Sequence, residues 1–381
     1  MATTDTLRVV FAEEDTLFSL METAIRRELT PGGEKALKYF FGADISAPLT
    51  RLTSMADHLG LPPSMEAEIC TDESGLAAAS PRADFLIVER EKITREHIEA
   101  GAKRLRLIQK FGRDSGNIDL MAAEELGVPV ANLIRYSSLS SAENVMALLL
   151  GLARNLITAH HSVIAVRDRN LPPRFEAGPV RTKFNWTSVK GIRVLATQTL
   201  GLIGLGENSG EIAKRAAALG MRILYHKRNR LPAAEEAELG SARYVSLYEL
   251  AAQADFITIH VPYSAQTEKM ISAQFLAHMK PTSFLINTSR GGVVDEKALY
   301  EALQEKKIAG AALDVYRYEP IPPDCPLLDL NNILWTPHMS GGEPEFMLQE
   351  CEDVLSNLSR IWQGTTPAGL VIAGERASGL T

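Results

Sequence analysis

Along most of this chain, short apolar runs alternate with stretches whose apolar residues recur every three or four positions. The first kind reads as buried parallel strands, the second as helices with one face on a core. Leu7–Ala12 opens as a strand. Thr16–Leu29 follows with Leu17, Leu20, Met21, Ala24 and Ile25 at helical spacing. Residues 30–80 are interrupted by Pro31-Gly32-Gly33, Pro48 and Pro62-Pro63, and support only short helices around Lys35–Phe41 and Leu49–Leu59. Alternation then resumes, with strands at Phe85–Glu89, Leu105–Phe111 and Val128–Leu133. Helices fall at Thr94–Ala102 and Asn117–Leu126, the latter stopped by Gly127. This order predicts a parallel, doubly wound sheet.

Ser141–Arg167 predicts one long helix with Ser141 as its N-cap. Its run Met146–Leu150 is apolar around most of the helix, so two domains or two subunits must cover it. Leu171–Lys190, with prolines and a tryptophan, reads as a crossover loop. A second series of strands follows at Leu200–Ile203, Met221–Tyr225, Tyr244-Val245, Phe256–Val261, Phe284–Thr288, Ala311–Val315 and Ile333–Trp335. Helices lie between them at Ser246–Ala254, opened by the capping box Ser246-x-x-Glu249, and at Ser272–Met279 and Glu296–Lys306. Glu345–Trp362 is a last amphipathic helix, and the tail from Gly364, rich in Gly, Ala and Thr, is expected to be loose. At 381 residues the chain suits two domains. The fold class is therefore α/β, with two doubly wound parallel-sheet domains.

Composition narrows the function. The apolar share of 45% and charged share of 23% are those of an ordinary globular protein. A net charge of −7 argues against a general nucleic-acid binder. Cys70, Cys325 and Cys351 are scattered, which suggests neither a disulfide framework nor a metal site and fits a reducing cytoplasm. MATTDTLR has no apolar signal core, and the longest apolar stretch, around Val145–Leu152, is too short to span a bilayer. The expectation is a cytoplasmic protein with a small-molecule partner and no nucleic-acid or membrane partner.

Thr199–Arg230 names the kind of small molecule. An apolar strand runs directly into Gly204-x-Gly206, and Ile212, Ala213, Ala216 and Leu219 then recur at helical spacing. Strand, glycine turn, helix, strand is the mononucleotide-binding half of a Rossmann sheet. Gly204 permits the tight turn. Gly206 lets a pyrophosphate approach the backbone at the helix start, and Ser209, in place of a third glycine, is small enough for helix–strand packing. At the end of the next strand an NAD-selective site carries Asp or Glu. Here Lys227, Arg228 and Arg230 stand there instead, a cluster that attracts a 2′-phosphate. The expected cofactor is NADP(H), with NAD(H) also accommodated.

Three later strand ends bring polar residues to the carboxyl edge, where α/β sheets bind ligands. Arg290 follows one strand, Asp314 and Glu319 the next, and His338 the last. Arg290 can hold the carboxylate of a 2-oxo acid with two hydrogen bonds and polarise its carbonyl. His338 can give a proton to the forming alkoxide, or take it in reverse, and Glu319 can orient His338. Hydride comes from the cofactor. A hydrolase is disfavoured because no Ser sits on a G-x-S-x-G elbow.

The chain thereby resembles the D-isomer-specific 2-hydroxyacid dehydrogenases over most of residues 84–363. The resemblance rests on Gly204-Leu205-Gly206, Asn287-Thr288-Ser289-Arg290-Gly291-Gly292-Val293-Val294-Asp295, Ala312-Leu313-Asp314-Val315 with Glu319-Pro320, and Thr336-Pro337-His338, in that order. It implies Arg290, Glu319 and His338 as the catalytic set. It implies cofactor contacts at Glu207, Asn208, Lys227, Thr288, Asp314, Pro262 and Thr267, and a homodimer formed through the second domain and the long helix. It also implies a flavodoxin-like substrate domain over residues 1–135, completed by residues 340–381. A Rossmann domain over 136–339 would then include the long helix 141–167. Two departures stand out. The family's substrate loop usually turns on G-x-G, whereas Gly112-Arg113-Asp114-Ser115-Gly116 puts Asp114 in the second glycine's place. Arg113 and Asp114 are thus the expected substrate-binding pair, with Arg113 or Lys110 offsetting the acid. Ile134-Arg135-Tyr136-Ser137-Ser138 lacks the family's Pro-Gly and adds Arg135. The expected activity is reversible reduction of a 2-oxo acid to a D-2-hydroxy acid. The alternatives are a dinucleotide-sensing, corepressor-like binding protein and oxidation of a small oxyanion such as phosphite by the same scaffold.

Overall fold

The computed structural model describes residues 6–168 and 184–371, in two compact units: 1–137 with 342–381, and 138–341. Most of the crossover loop expected at Leu171–Lys190 lies outside the described residues.

In the first unit β1 (Leu7–Phe11) leads into α1 (Thr16–Arg26), whose Asp15 cap accepts from the Leu17 amide. Two helices follow, α2 (Pro31–Phe41) and α3 (Ser46–His58), in the segment that reads poorly from sequence. Pro31 starts a helix rather than breaking one: it occupies the first turn of α2, where the missing N–H costs nothing, behind the Thr30 cap, whereas Pro62 and Pro63 lie in the loop after α3. Leu37, Leu52 and Ala56 from these helices are fully buried against Phe18, Met21 and Ile25 of α1. Sequence reading misses β2 (Met65–Ile69) and α4 (Glu73–Ala79). β2 is an edge strand, paired only with β1, and its alternating glutamates face outward, so no continuous apolar run announces it. The remaining elements are β3 (Phe85–Val88), α5 (Arg95–Gly101), β4 (Leu107–Lys110), α6 (Leu120–Glu125) and β5 (Val130–Ala131).

The long helix differs from expectation. α7 (Tyr136–Arg154) starts five residues earlier, and the chain breaks at Asn155, whose φ of 51° is left-handed. α8 (Leu156–Ile164) then leaves at a 60° bend. Asn tolerates that conformation better than most residues, and its side chain donates to the Lys190 carbonyl. Ser141 is not a cap: it lies inside α7 and donates to the Ser340 carbonyl at 3.0 Å. No single helix among the described residues is long and apolar enough to cross a membrane.

The second unit continues with β6 (Thr199–Ile203), α9 (Glu207–Ala218), β7 (Arg222–His226), α10 (Ala233–Glu238), β8 (Arg243–Tyr244), α11 (Leu247–Gln253) and β9 (Phe256–Ile259). It ends with α12 (Ala273–His278), β10 (Phe284–Asn287), α13 (Glu296–Gln304), β11 (Gly310–Leu313) and β12 (Ile333–Trp335). The predicted capping box of α11 forms in both directions, Glu249 amide to Ser246 Oγ and Ser246 amide to Glu249 carboxylate. All seven strands are parallel, in the order β12-β11-β10-β9-β6-β7-β8. Chain direction through the sheet reverses between β6 and β9, the switch point where such sheets take ligands.

The chain then returns to the first unit as α14 (Pro344–Trp362), whose Val354, Leu355 and Leu358 are buried in the first core. The tail expected to be loose is described only as far as Val371, and residues 372–381 lie outside the described residues. β13 (Leu370–Val371) pairs antiparallel with β5 and completes a six-stranded sheet, β13-β5-β4-β3-β1-β2.

Candidate active site

The expected site residues of the second unit all stand at one edge, the carboxyl ends of its strands. After β6, Gly204 has φ of 86°, and a Cβ there would lie 2.7 Å from the His260 carbonyl oxygen. Glycine is required twice, by the turn and by the neighbouring strand. Gly206 differs: a Cβ there would meet nothing within 4 Å, so the space over the start of α9 is open. The first-turn amides of α9 have no acceptor within the helix and suit an anion. Ser209 is buried and closes the turn from below, its hydroxyl accepting from the Gly206 amide at 2.9 Å. Glu207 and Asn208 begin the helix beside it, half-buried. These residues fit the pyrophosphate of a dinucleotide.

After β7, Lys227 is half-buried and Arg228 exposed. Arg230, expected to join them, is committed elsewhere. Its guanidinium donates to both oxygens of Glu236 on α10, at 2.9 Å each, and Tyr225 donates to the same carboxylate at 2.7 Å. The Arg230 and Tyr225 hydrogen bonds hold Glu236 down to about 2. The basic cluster therefore reduces to Lys227 and Arg228. After β9, Thr267 accepts from the Ser264 amide and donates to the Pro262 carbonyl, which closes the loop from Pro262 to Thr267 at the switch point. Desolvation lowers His260, at the start of that loop, to about 4, so this ring is neutral near pH 7.

The last three strand ends interlock. Asn287, buried at the end of β10, accepts from the Ser289 amide and hydroxyl and donates to the Arg290 carbonyl. It thus sets the turn that carries Thr288 and Arg290. Gly291 packs so close to the next loop that a Cβ would lie 2.0 Å from the Tyr316 carbonyl carbon. The Tyr316 amide donates to Glu319 Oε1 at 3.0 Å, and its hydroxyl donates to the carbonyls of Leu313 and Thr336. Asp314 is fully buried. It accepts from Thr336 Oγ1 at 2.6 Å, the Met339 amide at 2.9 Å and the Ser340 amide at 3.0 Å. Burial alone would raise its carboxyl, but the hydrogen bonds from Ser340, Thr336 and Met339 outweigh burial and hold it below the usual range.

This grip spans His338, whose φ of 55° is left-handed. For a residue with a Cβ that conformation costs roughly 1–2 kcal/mol. Bonds to the residues on either side offset the cost. His338 Nδ1 meets Glu319 Oε2 at 2.6 Å. A carboxylate can only accept there, so Nδ1 carries the proton and Nε2 is left to exchange one with substrate. Arg290 is exposed, donates one N–H to the Ser289 carbonyl and makes no ion pair among the described residues, which leaves its fork for a carboxylate. Strands β10, β11 and β12 are neighbours, so Arg290, Glu319 and His338 leave one sheet edge side by side. Asp314, expected to touch the cofactor, spends its oxygens on the His338 loop. Ser340 and Tyr316 were not singled out from sequence. No motif marks them, because their work is done by backbone and hydroxyl groups.

In the first unit, Gly112 (φ 113°) opens the loop after β4. Asp114 is exposed and accepts the Gly116 amide at 2.9 Å, so it shapes the loop locally. Arg113 is half-buried, and its carbonyl accepts from Asn132. Lys110 is buried and donates to the Glu89 carbonyl, so it stands below the loop rather than in it. Arg135 pairs with Glu89 at 2.6 Å and lies 4.5 Å over the Phe111 ring.

Residues 146–340 match the D-isomer specific 2-hydroxyacid dehydrogenase NAD-binding domain. A glyoxylate reductase of Korarchaeum cryptofilum is 36% identical over 304 residues, covering 77% of this chain and 87% of its own. This chain belongs to the D-isomer-specific 2-hydroxyacid dehydrogenase family. A D-3-phosphoglycerate dehydrogenase of Methanocaldococcus jannaschii is 37% identical over 76% of this dehydrogenase, which spans about half (52%) of that longer protein. A solved D-lactate dehydrogenase from Sporolactobacillus sp. superposes with a TM-score of 0.50 at 26% identity, covering 96% of this chain and 98% of its own. The dehydrogenase is an oxidoreductase with an NAD-type binding domain.

Asp314→Asn should lower stability by about 1.5–3 kcal/mol at neutral pH, through loss of charge-assisted hydrogen bonds. The sign of its pH dependence follows from the depressed carboxyl. The contribution of Asp314 is complete above its unfolded value near ~4 and is lost as pH falls through the lower folded value. Urea midpoints of wild type and variant should therefore converge below about pH 4. A gap that persists in acid would contradict this account.

Proposed function

We infer that this dehydrogenase reduces a 2-oxo acid to a D-2-hydroxy acid, reversibly, with NADP(H) preferred over NAD(H). The observation that carries the reading is the 2.6 Å pair of His338 and Glu319 beside the unpaired guanidinium of Arg290. Arg290 binds the substrate carboxylate. His338, protonated and oriented by Glu319, donates from Nε2 to the carbonyl oxygen as the carbon is reduced. In the oxidative direction His338 takes that proton back. The bound nicotinamide supplies or accepts the hydride. Gly206 and the start of α9 hold its pyrophosphate side. Lys227 and Arg228, with no carboxylate at the end of β7, support selection for a 2′-phosphate. Hydroxypyruvate, glyoxylate and a bulkier 2-oxo acid are the candidate substrates.

His338→Ala should reduce kcat for 2-oxo acid reduction by roughly 10²–10⁴-fold with far less change in KM. Nicotinamide absorbance followed over a panel of 2-oxo acids checks this, and a variant that turns over near the wild-type rate would remove His338 from proton transfer. In the same assay Lys227→Asp should shift the ratio of kcat/KM values from NADPH toward NADH. An unchanged ratio would reject the phosphate reading.

A homodimer is part of this proposal. Leu156, Ile157, Val163 and Ile164 on α8 are about half exposed. An apolar surface of this kind on one unit favours self-association. The free cysteines support a reducing, cytoplasmic setting. Light scattering on the purified chain should return twice the 41.7 kDa chain mass. A monomer at micromolar concentration would count against the dimer.

A further inference from the structure

The second sheet carries another cleft, of about 620 Å³, at the amino-terminal ends of β6, β7 and β8. It lies opposite the dinucleotide turn. Thr199 and Arg222 begin the strands that end at Gly204 and Lys227, so five residues, about 16 Å of strand, separate the two places.

Its charge is unusual for this chain. The protein carries a net −7, yet the cleft is lined by Arg222, Arg243 and Lys280 and by no carboxylate. Lys280 is already spoken for, paired with Asp255 at 2.8 Å, and Asp255 also accepts the Thr199 amide. The arginines are not. Arg222 and Arg243 are exposed, and among the described residues no carboxylate is within ion-pair distance of either. Elsewhere in the chain exposed arginines commonly have such a partner: Arg82 pairs with Glu68 and Arg95 with Glu125.

Register brings the two guanidinia together. Leu224 is the in-register partner of Arg243, and Arg222 lies two residues before Leu224. Side chains alternate along a strand, so Arg222, Leu224 and Arg243 leave the sheet on the same face. Arg243 donates to the Gln253 amide oxygen at 2.6 Å, which steadies the guanidinium without neutralising it. Leu224, on the face of the two arginines, gives the cleft an apolar wall. Two guanidinia without a close ion-pair partner among the described residues match the oxygens of a phosphate, and an apolar wall suits a carbon body attached to it.

We propose that this cleft binds a small organic phosphate, gripped by Arg222 and Arg243, at a site separate from the dinucleotide turn. The assignment does not depend on the catalytic reading, because the test reads binding and not turnover. Phenyl phosphate is titrated into the full chain by calorimetry, with phenol and inorganic phosphate as companion probes. Phenyl phosphate should bind the wild type more tightly than inorganic phosphate, and phenol should not bind. Arg222→Ala/Arg243→Ala should weaken phenyl phosphate at least tenfold, and the corresponding double lysine variant should fall between, since a point charge lacks the fork. Both side chains are exposed, so thermal unfolding should stay within a few degrees of wild type; single Arg222→Ala serves if the double variant unfolds early. No binding to wild type, or equal affinity in wild type and variant, overturns the proposal.

Discussion

One buried carboxylate sets the geometry of the candidate active site. Asp314 sits at the end of β11 with no exposure, and its oxygens are taken up by three donors from the loop after β12. A buried charge is tolerable only when its hydrogen-bonding capacity is met. Meeting it here forces residues 336–340 into a single path. His338 is carried along that path in a backbone conformation it would not choose. The His338 imidazole is thus placed by a buried carboxylate on the neighbouring strand. The Tyr316 amide and hydroxyl and the Asn287 side-chain amide extend the same logic to the loops that carry Glu319 and Arg290.

The arrangement separates rigidity from chemistry. Asn287, Asp314 and Gly291 are buried and fixed by short hydrogen bonds or backbone contact. Arg290, Glu319 and His338 stand exposed on top of them. Glu319 uses one oxygen to bind the Tyr316 backbone and the other to orient His338, which links the two layers. At the dinucleotide turn the same division holds. Gly204 is fixed by the neighbouring strand, whereas Gly206 opens onto free space. The glycines look alike in the motif but answer to different constraints.

The departures from the family pattern find local explanations. Where the family pattern has Pro-Gly, this chain has Arg135, whose guanidinium pairs with Glu89 and lies over the Phe111 ring. Asp114 replaces a glycine and ties its own loop through the Gly116 amide. Arg230, by contrast, shows how a sequence cluster overstates a site. Three cations in four residues look like one phosphate clamp, but Glu236, six residues further on, captures the third.

Strands with continuous apolar runs and helices with caps were legible from the sequence, because each carries its own signal in neighbouring residues. So were the glycine turn and the polar residues just past strand ends, since a parallel sheet puts all such positions on one edge. Elements whose stability comes from distant partners were not legible. β2 exists because β1 offers an edge, and it has no apolar run of its own; β13 is two residues long and is a strand only because β5 pairs with it. The break at Asn155 and the placing of Ser141 inside α7 depend on contacts with residues 190 and 340. The chain itself determined which residues could do the chemistry. Only the folded structure decided how they are held, because hydrogen bonds to the loop after β12 bury Asp314 while Arg290 and His338 stay at the surface.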